Sequence, residues 1–227
     1  MSAFQRARSD EQRASRRQSI LETAAVMLDE MPVSALSLNE LSRRVGLAKS
    51  NVLRYFESRE AVLLELLAHA ATEFLAEVGE ALQADVDPST PAITRARDVA
   101  ATLSASFAAR PKLCELLSAQ AGVLERNVST EVVLKYKLGA RDSLTGFAAL
   151  LRQVLPEIQR DRSVQGAQMI IILVGALWTH SHPTPPVLAA YETDPSLAFM
   201  HQSFASALNG VIVTFLLGLT AQGSDSS

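Results

Sequence analysis

Lys49, Ser50, Asn51, Arg54 and Tyr55 stand close together in the segment SLNELSRRVGLAKSNVLRYFESR, Ser37 to Arg59. An ammonium, a guanidinium, an amide and two hydroxyls grouped this way suit hydrogen bonding to nucleic acid. Lysine can reach guanine acceptors, and asparagine can pair bidentately with adenine. Ser37 offers a hydroxyl and neighbouring amides to a phosphate. Arg59 falls in the first turn of a following helix, whose free N–H groups favour the same ion. Arg43 and Arg44 close the preceding helix. They can meet a DNA backbone or simply offset that helix's C-terminal dipole. Arg6, Arg8 and Arg13 lie upstream and can either enter an adjacent minor groove or remain solvated charge.

Such groups need a rigid carrier, and the apolar residues between them supply one. Leu38, Leu41, Val45, Leu47, Val52, Leu53 and Phe56 can close a small core. Ser37 and Glu40 form the pattern of a capping box, which predicts a sharp helix start. Gly46 stands at the turn, where a left-handed backbone angle is easy only for glycine. A second helix is then expected over Ala48–Phe56, with Ser58 capping a longer helix that carries Val62, Leu63, Leu66, Leu67, Phe74 and Leu75. Upstream, Ile20, Leu21, Ala24, Ala25 and Leu28 follow the helical period and predict a first helix from Glu11 to Glu30, ended by Pro32. The pattern is a helix-turn-helix, a shape that fits the B-DNA major groove.

The rest of the chain reads as helices separated by proline signals. The break DVDPSTP at 85–91 precedes a helix with Thr90 as N-cap and Pro91 in its first turn. Arg110-Pro111 marks another start, a long helix is expected over Thr130–Val154, and the next over Arg162–His180. Asp194-Pro195 is expected to cap the last helix, which reaches Leu219. No stretch alternates with the period of a strand. The expectation is an all-α chain of about nine helices. It divides into a flexible arm (1–10), a helix-turn-helix DNA-binding domain (11–57), a helical regulatory and dimerisation domain (58–221) and a disordered tail (222–227).

Charge supports the division. Residues 1–60 hold ten Lys and Arg against eight Asp and Glu, whereas residues 61–227 hold eleven against sixteen. A cationic module on an acidic body suits a DNA-binding head. The single Cys114 excludes an internal disulfide and a multi-thiolate zinc site, and a reducing cytoplasm is the natural compartment. The N-terminus has no apolar signal core. The longest apolar run, Met169–Trp178, is too short to span a bilayer, so no membrane partner is expected. His180 and His182 are two apart, His69 and His201 are isolated, and no phosphate-binding glycine loop occurs. No cofactor, metal or catalytic residue is expected, and the chain does not read as an enzyme.

The residues Ser37-Leu38-Asn39-Glu40-Leu41-Ser42, Val45-Gly46, Tyr55-Phe56 and Ser58-Arg59 resemble the tetracycline-repressor (TetR) family of bacterial transcription regulators over residues 17–67. The chain departs from the family pattern at Leu53, where many members carry a phosphate-contacting tyrosine. It also departs at Ala48, where a serine or threonine usually caps the recognition helix, and at Pro32, a usual glycine. The resemblance implies that Tyr55 meets a phosphate. It implies a repressor that occupies a palindromic operator as a homodimer and leaves when a small-molecule effector binds. The mostly apolar interior suggests a hydrophobic effector. The expected pocket residues are Phe107, Cys114, Gln120, Phe147, Met169 and Trp178, although residues of these types more often serve as plain core. The last two long helices are apolar over more than one stripe, which fits either an interface or an internal core. The expected interface residues are Leu173, Leu177, Phe204, Leu208, Val211 and Phe215. The alternative is a helical ligand-binding or scaffold protein that keeps the head but lacks operator affinity; Leu53 and Ala48 are its support.

Overall fold

The computed structural model describes the backbone of residues 3–224 and the side chains of residues 11–221. Among the described residues there is no strand, and nine helices have seven or more residues. The chain runs through α1 (Ala3–Glu30), a 3-10 turn (Val33–Ala35), α2 (Leu38–Val45), α3 (Lys49–Val52) and α4 (Arg59–Asp85). It continues through α5 (Ala92–Ala108), α6 (Pro111–Ala119), a π-turn (Gln120–Leu124) and α7 (Thr130–Val154). It closes with α8 (Arg160–Ser181), α9 (Pro185–Thr193), a second 3-10 turn (Pro195–Met200) and α10 (Phe204–Ser224).

Several boundaries differ from expectation for local reasons. Helical backbone begins at Ala3, ahead of Glu11 and inside the segment read as an arm. No glycine or proline interrupts residues 3–30, and Ala, Arg, Gln and Glu all favour helix. The side chains of Arg6 and Arg8 lie outside the described residues, as do the side chains of 222–227. Thr90 does not cap α5: its hydroxyl donates to the Asp87 carbonyl at 2.9 Å, and Pro91 takes the cap position. Asp194 caps the short 3-10 turn by accepting from the Ser196 amide at 2.9 Å, so the last long helix begins only at Phe204.

Cα proximity divides the chain into two compact units, Met1–Ala68 with Ala119–Tyr136, and His69–Ser118 with Lys137–Ser227. In the first, Ile20, Leu21, Ala24, Met27 and Leu28 of α1 are buried, as are Leu36, Leu41, Val52, Phe56, Val62, Leu63 and Leu67. Leu38, Val45 and Leu47 are half-buried. Leu53 is 41 % exposed and does not belong to the core: it lies on the outward side of the turn that follows α3.

Arg17 ties this unit together. Its Nε donates to Glu65 Oε1 of α4 at 3.0 Å, a second nitrogen pairs with Glu65 Oε2, and the third donates to the Tyr55 carbonyl. Its guanidinium carbon lies 4.0 Å from the centroid of the Phe56 ring. Burial pushes the Glu65 carboxyl up, but Arg17, helped by Lys135 at 3.3 Å, outweighs it and holds the carboxyl below its ordinary value. The 119–136 segment joins the same unit through that lysine and through the Ser129 amide, which donates to the Glu57 carboxylate.

In the second unit α10 packs on α5 and α8. Phe107 is fully buried, stacked 4.2 Å from Phe74. A Cβ on Gly175 would lie 3.0 Å from the Leu117 carbonyl oxygen, so glycine lets α8 cross α6 this closely without displacing that backbone. The buried Arg95 donates to the carbonyls of Thr90 at 3.1 Å and Val154 at 2.9 Å, and pairs with Glu157.

Removing Arg17 strips α1 from both α4 and the α3 turn. Arg17→Ala is expected to cost about 3 kcal/mol, read as a lower denaturation midpoint. An unchanged midpoint would show that the tie carries no stability.

Candidate nucleic-acid interface and sensor residues

The head's exposed polar side chains are set by how α2 and α3 begin and end. Ser37 Oγ accepts from the Glu40 amide at 3.2 Å and starts α2. Only half of the expected capping box forms. The Glu40 carboxylate turns instead to Arg43, at 2.9 and 2.6 Å, and to Arg44 at 2.9 Å. Gly46 ends α2 with φ +72°, the left-handed conformation expected of it. Its amide donates to the Arg43 carbonyl at 3.2 Å, which turns the chain toward α3.

The two arginines are therefore engaged. Arg44 also pairs with Glu30 at 2.6 Å, so it links the end of α1 to α2, while Arg43 stays 71 % exposed beside Glu40. The hydrogen bonds from Arg43 and then Arg44 hold the Glu40 carboxyl down at about 2.

Regular α3 spans only Lys49–Val52, shorter than the expected Ala48–Phe56. Beyond it the chain tightens: the amides of Arg54 and Tyr55 donate three residues back, to Asn51 and Val52, at 3.3 and 2.9 Å. Ala48 makes no side-chain cap bond, consistent with its departure from the family pattern. Val52 and Phe56 point inward and are buried. Lys49, Ser50, Asn51 and Arg54 are exposed. Among the described residues no hydrogen bond or ion pair engages these four side chains. Tyr55 is half-buried and its carbonyl receives Arg17.

Arg59 is engaged within the head. Its guanidinium donates to the carbonyls of Ser34 and Leu36, each at 3.2 Å, and pairs with Glu60 at 3.1 Å. It fastens the turn between α1 and α2 to the start of α4. Ser58 Oγ caps that helix by accepting from the Ala61 amide at 3.1 Å. Arg17 was not singled out by its sequence, although it lies three residues before Ile20 on the stripe that α1 buries.

The expected sensor residues differ in environment. Phe107, Cys114 and Phe147 are buried in the second unit. The Cys114 thiol donates to the Phe107 carbonyl at 3.3 Å, and burial pushes its pKa up to about 12. Trp178 is half-buried, edge-on to Phe204 at 5.1 Å. Met169 is 43 % exposed. Gln120 lies in the first unit and donates to Glu125 at 2.8 Å.

Of the expected interface residues, Phe204 and Leu208 are buried within the protomer. With Ile212 and Leu216 they form the four-residue stripe that α10 turns inward. Leu173, Val211 and Phe215, with Leu219, line an open groove of about 700 Å³ between α8 and α10, and Leu177 is half-buried. Helices Arg160–Ser181 and Phe204–Ala221 are long and apolar enough to cross a membrane by length and composition. The expectation of runs too short to span counted only unbroken apolar stretches. Core helices of soluble proteins have the same composition, and both helices spend one face on the protomer's own core.

Comparison with known proteins gives this geometry a family. A model described as bacterial regulatory proteins of the tetR family matches residues 20–66. A model described as the tetracyclin repressor-like C-terminal domain matches residues 68–223. The chain belongs to the TetR family. It is thus a DNA-binding transcription regulator, and TetR-family proteins are typically not enzymes. No curated protein matches it. A possible TetR family regulator from Streptomyces coelicolor A3(2) is similar in fold, with TM-score 0.58, 16 % identity and coverage of 90 % of this chain and 98 % of that one. So is the fatty acid degradation regulator FadR from Bacillus halodurans, with TM-score 0.52, 17 % identity and coverage of 89 % and 95 %. The TetR family repressor AlkX from Dietzia sp. strain DQ12-45-1b, implicated in biodegradation of n-alkanes, has TM-score 0.51, 14 % identity and coverage of 90 % and 96 %.

The Glu40 fork sets a pH window for this TetR head. Its carboxyl falls from an ordinary 4.5 to about 2. The stabilisation is therefore complete above pH 4.5 and is lost as pH falls through about 2. A carboxyl-carbon NMR titration should place the Glu40 midpoint near 2; an ordinary midpoint would mean that the fork does not persist in solution.

Proposed function

We propose that this chain is a homodimeric, cytoplasmic repressor that occupies a palindromic operator and is released by a small hydrophobic effector. The observation that carries the reading is the pinned α3. Lys49, Ser50 and Asn51 project from it without partners while Val52 and Phe56 anchor it from behind. These three read base edges. Ser37 and Tyr55 meet phosphates, which position the head without conveying sequence. Arg43, already half-neutralised by Glu40, gives a weaker backbone contact. Arg44 and Arg59 act by holding the helices in place.

One head covers few base pairs, and a two-fold dimer would set two heads ~34–36 Å apart, one helical turn of DNA. The half-buried Leu173, Leu177, Val211 and Phe215 provide an apolar face for the second copy. The apolar core around Phe107, Cys114 and Phe147 favours a hydrophobic effector. FadR, a fatty acid degradation regulator, and AlkX, implicated in biodegradation of n-alkanes, are consistent with that class. An effector acts only through unequal affinity for the bound and released states.

The test is a salt-titrated binding assay with the duplex upstream of the chain's own coding region. A repressor binds with affinity that falls steeply with salt. Asn51→Ala should cost about 1–3 kcal/mol at one base pair and flatten the preference there. Absence of binding by the wild type at low salt would favour the scaffold reading to which Leu53 and Ala48 point. Val211→Asp should convert the dimer to a monomer by sedimentation and abolish tight binding; a persistent dimer would move the interface elsewhere.

A further inference from the structure

The arginines of the head fall into two groups. Residues 11–68 contain seven: Arg13, Arg16, Arg17, Arg43, Arg44, Arg54 and Arg59. Arg17, Arg43, Arg44 and Arg59 are each ion-paired with a glutamate. Among the described residues nothing pairs with Arg13, Arg16 or Arg54, and all three line a single open groove of about 1010 Å³. One wall is α1, where Gln12, Arg16 and Ser19 recur at helical spacing and share a face. The other wall is Arg54 and Tyr55, from the turn that follows α3. Glu11 also lines the groove, yet it forms no ion pair with any of the three.

Three unpaired guanidiniums among serine and tyrosine hydroxyls suit phosphate oxygens. A guanidinium holds a phosphate through two parallel N–H donors. Three of them lining one groove can serve more than one phosphate. They match a strand that presents phosphates in series. The groove also begins on the reading side of the head, since Arg54 is three residues beyond the exposed Asn51.

We propose that this groove is a backbone clamp for the DNA strand flanking the bases that α3 reads. Arg13 and Arg16 on α1 and Arg54 on the α3 turn grip successive phosphodiesters from both sides. The clamp extends the footprint outward and adds affinity without sequence preference. Arg13 acts from a fixed helix, on phosphates, and does not thread the minor groove as an arm. The proposal rests on the DNA-binding reading above.

The test uses the full chain, its Arg13→Ala/Arg16→Ala double variant, and the upstream duplex. The double variant should melt with the wild type, because neither side chain has a partner among the described residues. Its plot of log affinity against log salt should be shallower by ~1.8 per protomer, at ~0.9 per lost contact. Its preference for the upstream duplex over a scrambled one should be unchanged. Trimming the duplex flanks should weaken the wild type and leave the variant unaffected. Exchanging chloride for inorganic phosphate at equal ionic strength should not selectively displace DNA; selective displacement would assign the groove to a free anion and overturn the clamp. An unaltered salt slope in a variant whose wild type binds DNA would also overturn it, with the repressor reading intact. A wild type that ignores DNA would reject both.

Discussion

One guanidinium organises the reading head. Arg17 meets the Glu65 carboxylate on α4, the Tyr55 carbonyl at the end of the α3 turn and the face of the Phe56 ring. These groups come from parts of the chain far apart in sequence. Regular α3 is four residues long, far below the length at which a helix is stable alone. Its orientation is borrowed from its neighbours. Val52 and Phe56 bury it from within, and Arg17 holds the carbonyl end of its turn. A half-buried ion pair of this kind is favourable because each guanidinium nitrogen finds an acceptor.

The same logic sorts the remaining charge of the head. Glu30, Glu40, Glu60 and Glu65 each neutralise an arginine that braces one helix or fastens one to another. Among the described residues of the head, Lys49, Arg13, Arg16 and Arg54 are the cations without an ion pair. The excess of basic residues over residues 1–60 is small. Its effect on a partner depends on which cations are already spent, because a paired arginine projects little field beyond its carboxylate.

In the second unit, helices of similar composition do different work on different faces. α10 turns Phe204, Leu208, Ile212 and Leu216 inward and leaves Val211 and Phe215 beside a groove. α8 buries Ala167, Ile170 and Val174 and exposes Met169 and Ile172. Helices apolar on two sides satisfy a protomer core with one and leave the other facing outward. α9 and the 3-10 turn after it bury no side chain, so this stretch adds little to the protomer's own stability.

The sequence by itself determined the helical class, the Ser37 and Ser58 caps, the left-handed Gly46 and the bounds of α7. Each follows from local backbone chemistry: a hydroxyl within reach of an orphan amide, a missing Cβ, or a proline that cannot continue a helix. It also placed Lys49, Ser50 and Asn51 at the start of an exposed element. Only the tertiary structure decided which cations are free. The sequence does not show that the carbonyls of Ser34 and Leu36 engage Arg59, or that the Glu30 carboxylate engages Arg44. Leu53 reads as core until α3 tightens and leaves it outside, and Phe204 and Leu208 read as interface until α5 and α8 pack against α10. Side-chain roles of this kind depend on neighbours distant in the chain, and no spacing within one helix encodes them.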